Sequence, residues 1–404
     1  MRLPATDTPV GADCRQAVGW RGLPAPPPDG ERRPYNRGLA SVRELLLFLA
    51  ASLTAVAQLP PEFRTDAAKT LIRLDELVRG GPPKDGIPAL RAPKFESAES
   101  ASAWLAPAEP VQVVRQAGEV RAYPLQILIW HELVNDVVGG RPILVSFCPL
   151  CNAAVVFDRS VDGAAVEFGV SGLLRNSDMI MFDRPTESLW QQLTGEALVG
   201  EHAGGRLEIV ASQVVPFRAL AEAFPNARVL GRDTGHRRAY GRNPYEGYEY
   251  RSRTIFPAPY RRSASIRPME RLLAFRSGSR TLAYVLADLR ERRVVSGGRR
   301  GREYVVFYEP SMVTPLGAGT IAESGAVGTA GVFSRILDGE RLEFGWEGGA
   351  IVDRGTASTW NLFGQAKSGP MQGVALRPIE HGVYYAFAWL AFRPRTELVR
   401  LPER

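Results

Sequence analysis

Two cysteines three positions apart, Cys148 and Cys151, are the side chains of this sequence best suited to chemistry. In a tight turn this spacing places two sulfurs about 3.5–4.5 Å apart, which suits two thiolates on one soft metal ion or one disulfide. A disulfide between them would close almost no loop and would therefore contribute little stability. The sequence thus predicts that the pair serves chemistry rather than architecture.

The third candidate ligand is His131, near the end of a predicted helix. A glycine turn at 139–140 and a predicted strand over 142–147 lead the chain from His131 back to Cys148. Two thiolates and one imidazole leave an open coordination position, as in catalytic zinc sites and in copper sites. We predict that Cys148, Cys151 and His131 bind one metal ion; a buried structural histidine is the alternative role of His131.

Two acidic residues are the candidate catalytic groups beside these ligands. Glu132 directly follows His131, where it would accept a proton next to the metal; a solvated helix face is the alternative. Asp178 lies in a loop rich in polar side chains. It would serve there as a ligand or as a hydrogen-bond acceptor for one, and capping of the loop is the simpler alternative.

The cofactor that this donor set predicts is a transition metal ion. Soft thiolates favour copper, zinc or iron over magnesium or calcium, and copper best suits the extracytoplasmic setting inferred below. The predicted function is redox or Lewis-acid chemistry on a small molecule. Three alternatives stay open: a carrier that binds the same ion without turnover, a metal-free thiol–disulfide oxidoreductase and a scaffold with an inert disulfide.

The elements around these residues are mostly short β-like runs, so the fold class predicted is α+β and mainly β. Helices are predicted over 64–79, 124–136 and 217–224. The residues that follow Cys151, over 153–157, have the pattern of a strand. This disfavours a thioredoxin-like site, where the cysteine pair begins a helix.

The second half of the chain echoes the first. The segment at 183–190 is answered by that at 353–360, with five identities in eight positions. We therefore predict two copies of one β-rich unit, with the Cys/His cluster in the first copy at 58–250 and a degenerate second copy at 251–404. What both copies share is expected to be scaffold. Tyr308 stands at the position of Cys148 in the second copy.

The first 57 residues are predicted to lie outside the fold. They begin with a Pro-, Gly- and Arg-rich extension and end in an apolar run over 45–53, followed by Ala55-Val56-Ala57. This pattern is typical of a signal peptide and predicts a periplasmic or secreted protein that starts near Gln58. Its late position would be explained by a start at Val42; a short buried helix is the alternative.

The composition narrows the range of partners. The formal net charge is +7, but only Lys69, Lys84, Lys94 and Lys367 are lysines among 50 basic residues, which indicates a coding bias toward arginine. No basic cluster interleaved with aromatic residues is present, so a nucleic-acid partner is not expected. No run reaches the roughly 18 apolar residues of a membrane-spanning helix. The expected partner is a small-molecule substrate or a metal ion.

An ordered set of motifs resembles the uncharacterised bacterial family known as domain of unknown function 3179, over roughly residues 60 to 390. The motifs are Asp85-Gly86-Ile87-Pro88, Ala122-Tyr123-Pro124, Trp130-His131-Glu132, Cys148-Pro149-Leu150-Cys151-Asn152, Phe168-Gly169-Val170-Ser171-Gly172, Asp183-Arg184-x-Thr186-x-Ser188-x-Trp190 and Asn243-Pro244-Tyr245. The resemblance implies an exported or lipid-anchored protein and supplies no substrate. This chain lacks the cysteine near the cleavage site that lipid-anchored members carry.

Overall fold

The computed structural model describes residues 58–251, 258–259, 266–298 and 301–401. The predicted extension and signal peptide at 1–57 lie outside the described residues, as does most of the segment at 251–265, where the second unit is predicted to begin. The described chain is rich in strands, with few short helices. The expected fold class, α+β and mainly β, is therefore confirmed.

Fifteen strands belong to the described part of the first half, from residue 58 onward. They are β1 (Val78–Arg79), β2 (Phe95–Ser97), β3 (Pro110–Gln116), β4 (Glu119–Pro124), β5 (Leu133–Val138), β6 (Arg141–Cys148), β7 (Ala153–Asp158), β8 (Ser160–Val161), β9 (Ala164–Ala165), β10 (Phe168–Arg175), β11 (Asp178–Asp183), β12 (Leu189–Gln191), β13 (Ala197–Val199), β14 (Ser212–Pro216) and β15 (Arg228–Leu230).

The second half contributes a further set of described strands. They are β16 (Arg271–Ser277), β17 (Arg280–Val285), β18 (Val294–Gly297), β19 (Tyr304–Glu309), β20 (Thr329–Ser334), β21 (Ile336–Leu337), β22 (Glu340–Arg341), β23 (Phe344–Glu347), β24 (Ala350–Asp353), β25 (Thr359–Trp360), β26 (Ala366–Ser368), β27 (His381–Tyr385) and β28 (Glu397–Leu398). The described α-helices are α1 (Ala98–Ala101), α2 (Leu125–His131), α3 (Phe217–Ala223) and α4 (Ala386–Phe392).

The two halves share their strand orders and pairing directions. In the first half the sheets run β14-β3-β4-β15-β2, β5-β6-β7 and β1-β10-β11-β12-β13. In the second half they run β27-β16-β17-β28, β18-β19-β20 and β23-β24-β25-β26. The one parallel contact of each first sheet also corresponds, because β15 pairs parallel to β4 and β28 pairs parallel to β17. Descent of both halves from one duplicated unit stays a prediction.

The loop sequence that both halves share acts as scaffold. Asp183 Oδ1 accepts hydrogen bonds from the Thr186 backbone N–H at 2.9 Å and from the Thr186 hydroxyl at 2.8 Å. Its Oδ2 accepts from Trp190 Nε1 at 2.8 Å. In the second half, Asp353 Oδ2 accepts the corresponding two bonds from Thr356, at 3.2 and 2.6 Å. Each aspartate therefore holds a tight loop closed, as the sequence predicted.

Helix α2 is shorter than the helix predicted over 124–136. It begins after Pro124 and ends at His131, and all seven of its side chains are buried. From Leu133 the chain forms β5, which pairs antiparallel with β6 from Leu133 opposite Ser146 to Val138 opposite Arg141. The valines of this segment favour a strand because β-branched side chains lose rotamer freedom in a helix.

The helix predicted over 64–79 is wrong, whereas the helix predicted over 217–224 is confirmed as α3. Residues 64–79 form turns, a single 3₁₀ turn at Leu74–Glu76 and the short strand β1. Leu71 is 62% exposed, so the apolar side chains do not share one buried face. Contacts with other elements replace helical hydrogen bonds here: the Leu71 N–H, for example, donates to the Leu198 carbonyl at 2.9 Å.

The largest hydrophobic core joins the two halves. It combines buried residues of α2, β6 and β7 with those of β27 and α4. A polar contact adds to it, because Asn152 Nδ2 donates to the Val383 carbonyl in β27 at 3.0 Å. The turn that carries the two cysteines is therefore fixed from both halves. Within the described residues, the helices are all too short or too polar to cross a membrane.

Candidate metal centre

The two cysteines flank a tight turn between two paired strands. Cys148 is the last residue of β6 and lies opposite Ala153, the first residue of β7. Between them Pro149–Cys151 form one 3₁₀ turn, and Asn152 closes it in the left-handed conformation with φ 50°. Both cysteines are buried, and no disulfide joins them. The turn and the two strands predicted around it are confirmed.

Asp178 is the residue that the structure brings to the cysteines. It begins β11, after Asn176 and Ser177, which both have positive φ and so reverse the chain sharply. The Cys151 thiol donates to the Ser177 carbonyl at 3.4 Å, which fixes the two loops together. The Sγ atoms of Cys148 and Cys151 and a carboxylate oxygen of Asp178 all lie within 4.8 Å of one another.

One oxygen of Asp178 is held by the protein and the other is not. Oδ2 accepts hydrogen bonds from Gln191 Nε2 at 2.7 Å and from the Leu193 N–H at 2.9 Å. Oδ1 is buried and has no hydrogen-bond partner among the described residues. Burial raises the pKa of this carboxyl to about 6, although the hydrogen bonds from Gln191 and Leu193 and the two nearby thiols act to lower it. A buried carboxylate oxygen without a partner is costly, which indicates a ligand at this position.

The thiols themselves are shielded from water. Burial raises the pKa of Cys148, and it raises the pKa of Cys151 well above the ordinary value. The neighbouring Cys148 sulfur and Asp178 carboxylate raise the pKa of Cys151 further. In the metal-free protein both sulfurs are therefore protonated at neutral pH, and a bound cation would displace these protons.

Glu132 lies between α2 and β5, close enough to Asp178 for the two carboxyl groups to interact. Its backbone has φ 59° and ψ −33°, a conformation rare outside glycine, and its carbonyl accepts from the Phe147 N–H at 2.8 Å. The side chain is only 7% exposed and accepts from the Tyr245 hydroxyl at 3.4 Å. Burial raises the pKa of Glu132 to about 8, and the charge of Asp178 adds to the shift.

A small cavity of about 40 Å³ opens between Glu132 and the cysteine turn. Leu150 and Met179 line it, and these residues adjoin Cys151 and Asp178 in the sequence. Tyr245 lines it as well. The volume is sufficient for a water molecule or a comparably small group.

His131 is buried but has partners of its own. Its Nδ1 lies 2.8 Å from the Pro88 carbonyl, and its Nε2 lies 2.6 Å from the Tyr240 hydroxyl. Because a carbonyl only accepts, Nδ1 carries the proton and Nε2 accepts from the tyrosine. Burial lowers the pKa of His131 to about 4. The structure thus groups the cysteines with Asp178, whereas the sequence predicted that His131 would be the third ligand.

Two tyrosines lie near the cysteines; the sequence carries no signal for Tyr248 and indicates Tyr245 only as part of a motif. The Tyr248 hydroxyl donates to the Leu150 carbonyl at 2.8 Å, and Tyr245 donates to Glu132. The motif Asn243-Pro244-Tyr245 was the available signal: Asn243 Oδ1 accepts from the Tyr245 N–H at 2.8 Å and so shapes this turn. Nothing local in the sequence indicates that the turn covers a cysteine pair about a hundred residues earlier.

Comparison with known proteins identifies the family. The model of the family described as Protein of unknown function (DUF3179) matches residues 84–396. The chain therefore belongs to this family, as its motifs suggested. A search of curated proteins finds no match to the chain, and neither does a search of solved structures.

Proposed function

We propose that Cys148, Cys151 and Asp178 bind one transition metal ion and that the protein uses it as a Lewis acid on a small molecule. The observation that carries this proposal is the buried carboxylate of Asp178: its Oδ1 has no hydrogen-bond partner among the described residues, and one of its oxygens lies within 4.8 Å of both sulfurs. Three protein ligands leave one coordination position open, which is typical of catalytic rather than structural sites.

The donor set favours zinc over copper. Two thiolates alone would suit Cu(I), as the sequence suggested, but a carboxylate oxygen is a harder ligand. Zn²⁺ accepts sulfur, nitrogen and oxygen ligands in tetrahedral geometry. We therefore place zinc first, and copper or iron after it. A bound zinc ion would polarise a substrate carbonyl or phosphoryl oxygen and stabilise the negative charge that develops there.

Residues beside the three metal ligands would transfer a proton during the reaction and orient the group that carries it. Glu132 lies at the cavity beside the cysteine turn, and with a pKa near 8 its carboxyl exchanges a proton close to neutral pH. The Tyr245 hydroxyl orients this carboxyl through one hydrogen bond. The aliphatic walls from Leu150 and Met179 would exclude bulk water and so strengthen the electrostatic interactions inside.

Burial argues against two alternatives. A metal carrier hands its ion to a partner and needs ligands that the partner can reach, but both cysteines and Asp178 are buried. A thiol–disulfide oxidoreductase needs an exposed sulfur with a lowered pKa, whereas burial raises the pKa of both thiols here. Export to the periplasm or the medium remains part of the proposal and rests on the sequence of residues 1–57.

Elemental analysis of the purified full-length protein tests the metal proposal. We expect about one equivalent of metal in the wild type and in Asp162→Asn, a control that removes an exposed carboxylate elsewhere. Cys148→Ser, Cys151→Ser and Asp178→Asn should each lose most of it while keeping the wild-type circular dichroism spectrum. Equal metal content in all five proteins, or none in the wild type after growth with zinc, copper and iron, would refute the proposal.

A further inference from the structure

A cleft lies between the two halves, near the metal centre. Its volume is about 840 Å³, within the range of small-molecule binding sites. The first half contributes β7 and the chain at 206–213, and the second half contributes β16, β27 and α4. Clefts between two packed units are common positions for ligands, because both units can supply polar groups.

Four arginines line this cleft: Arg115, Arg206, Arg276 and Arg393. Arg206 is paired with Glu196. Within the described residues, the other three have no carboxylate at ion-pair distance; the Arg393 guanidinium donates only to the Phe392 carbonyl, at 3.1 Å. Exposed arginines without partners are ordinary, but Arg115 and Arg393 are half-buried, where an unpaired charge is unfavourable.

The neighbours of two of these guanidinium groups are aromatic rings for Arg115 and like charges for Arg393. Arg115 lies over the rings of Phe224 and Phe363, at 5.6 and 5.8 Å from their centroids. Burial lowers the pKa of Arg393, and the charges of Arg206 and Arg276 lower it further. The like charges therefore repel one another across the cleft, and a bound anion would relieve that repulsion.

The negative charges at the cleft are too few to balance the arginines. Glu208 lines it but is paired with Arg141 at 2.9 Å. Glu380 lines it too, and it attracts both Arg276 and Arg393. With Arg206 and Glu208 each paired elsewhere, three guanidinium groups face one carboxylate. The cleft thus carries an excess of positive charge.

The neutral part of the lining suits an organic ligand. The hydroxyl groups of Ser279 and Thr281 offer hydrogen bonds. On the side of α4, the rings of Tyr384 and Trp389 stack with centroids 4.7 Å apart and an angle of 20° between their planes. Together with the guanidinium planes, these rings would suit a ligand that has a flat apolar part.

We propose that this cleft binds a small organic anion that carries two or more carboxylate or phosphate groups. Three guanidinium groups without carboxylate partners, aromatic walls and an open volume carry the assignment. One lining residue connects the cleft to the metal centre: Leu193 lines the cleft, and its backbone N–H donates to Asp178 at 2.9 Å. The binding proposal does not depend on a metal ion, although the ligand would be a substrate candidate for the proposed metal site.

Isothermal titration of the full-length protein with defined anions tests this proposal. Benzene-1,3,5-tricarboxylate and pyrophosphate are the two anionic probes, and benzene-1,3,5-tricarboxamide is the neutral one. We expect binding of at least one anion, weakening as salt increases, and none of the amide. Preference for either anion supports the proposal and identifies the anionic group of the ligand.

Single variants separate the cleft from the general positive charge of the chain. Arg276→Gln and Arg393→Gln should each weaken binding about tenfold or more, since each removes a charged hydrogen-bond donor. The exposed Arg237→Gln, which lies outside the cleft lining, should leave the affinity within about twofold of the wild type. Cys148→Ser should also bind normally, so failure of the metal proposal would leave this result intact. Absence of anion binding, or equal affinity in all variants, would overturn the inference.

Discussion

At the scale of single residues, the site depends on how burial shifts the pKa of each polar group and on which of its atoms have hydrogen-bond partners. Asp178 and Glu132 are carboxyl groups placed among apolar side chains, and burial raises the pKa of both. Asp178 has one oxygen fixed by Gln191 and Leu193 and one oxygen left over. His131 is equally buried, but both of its ring nitrogens are occupied. Asp178 Oδ1, rather than a ring nitrogen of His131, is therefore the atom available to bind a metal ion.

Asp178→Asn separates ligation from structure. Asparagine has the same shape, and its amide oxygen still accepts from Gln191 and Leu193, but it cannot supply the anionic oxygen. We expect metal affinity to fall by about 100-fold or more, with a stability of the metal-free protein within about 1 kcal/mol of the wild type. Competition with a metallochromic chelator measures the first quantity, and urea unfolding the second. Unchanged affinity would exclude Asp178 as a ligand.

The free energy of unfolding should depend on pH through the protonation of His131. Its pKa is about 4 in the folded protein, below the ordinary value of 6.5. Between these values the folded state binds fewer protons than the unfolded state, so the contribution is complete above about pH 6.5 and is lost as the pH falls toward 4. The loss is on the order of 3 kcal/mol.

Unfolding by urea between pH 4 and pH 7 measures this effect. In His131→Asn the amide can still donate to the Pro88 carbonyl, but no proton is taken up. The variant should therefore lose less stability than the wild type over the same pH range. Parallel pH profiles for the two proteins would show that His131 does not titrate as its burial requires.

At the scale of elements, local sequence patterns were sufficient to predict the structure wherever the paired segments are close together in the sequence. The turn at 149–152, the strands on either side of it and α3 follow from spacing and residue type. Asp178 was a possible ligand from its residue type, but local patterns could not fix its distance to the cysteines, because no sequence pattern relates the β10–β11 pair to β6. The failed helix at 64–79 has the same cause, since its hydrogen bonds go to distant elements.

We predict that removing the aspartate of the shared loop lowers the stability by different amounts in the two halves. Asp183→Ala would leave the buried Trp190 Nε1 without its acceptor, in addition to the lost bonds from Thr186. Asp353→Ala loses only loop bonds, because Trp360 Nε1 already has no partner among the described residues. We expect losses of about 3 kcal/mol and about 1–2 kcal/mol respectively. Chemical denaturation measures both, and the reverse order would contradict the structural assignment.

At the scale of the whole molecule, the two halves share both a topology and a core. The sequence echo predicted two units, and the matching strand orders agree with it. What the sequence could not show is that α4 and β27 pack into the core around the cysteine turn, because contacts between halves leave no periodic signal. Between β19 and β20 the second half has residues 310–328 where the first has the turn at 149–152. The cysteine turn is therefore confined to one half of the described chain.

A shared core predicts that the halves unfold together. Buried side chains of both halves belong to one hydrophobic cluster, and Asn152 is hydrogen-bonded across it. Separate unfolding of either half would expose that cluster, so the transition should be single and cooperative. Urea unfolding followed by far-ultraviolet circular dichroism and by tryptophan fluorescence should give coincident curves. Two resolved transitions would show that the halves are independent domains.

The central claim concerns which atoms bind the metal. X-ray absorption spectroscopy at the metal edge of the loaded, full-length protein counts these atoms directly. For zinc we predict two sulfur atoms at about 2.3 Å and oxygen at about 2.0–2.2 Å, with no scattering pattern from an imidazole ring. A spectrum without sulfur, or one with two sulfurs and an imidazole, would contradict the assignment of Cys148, Cys151 and Asp178.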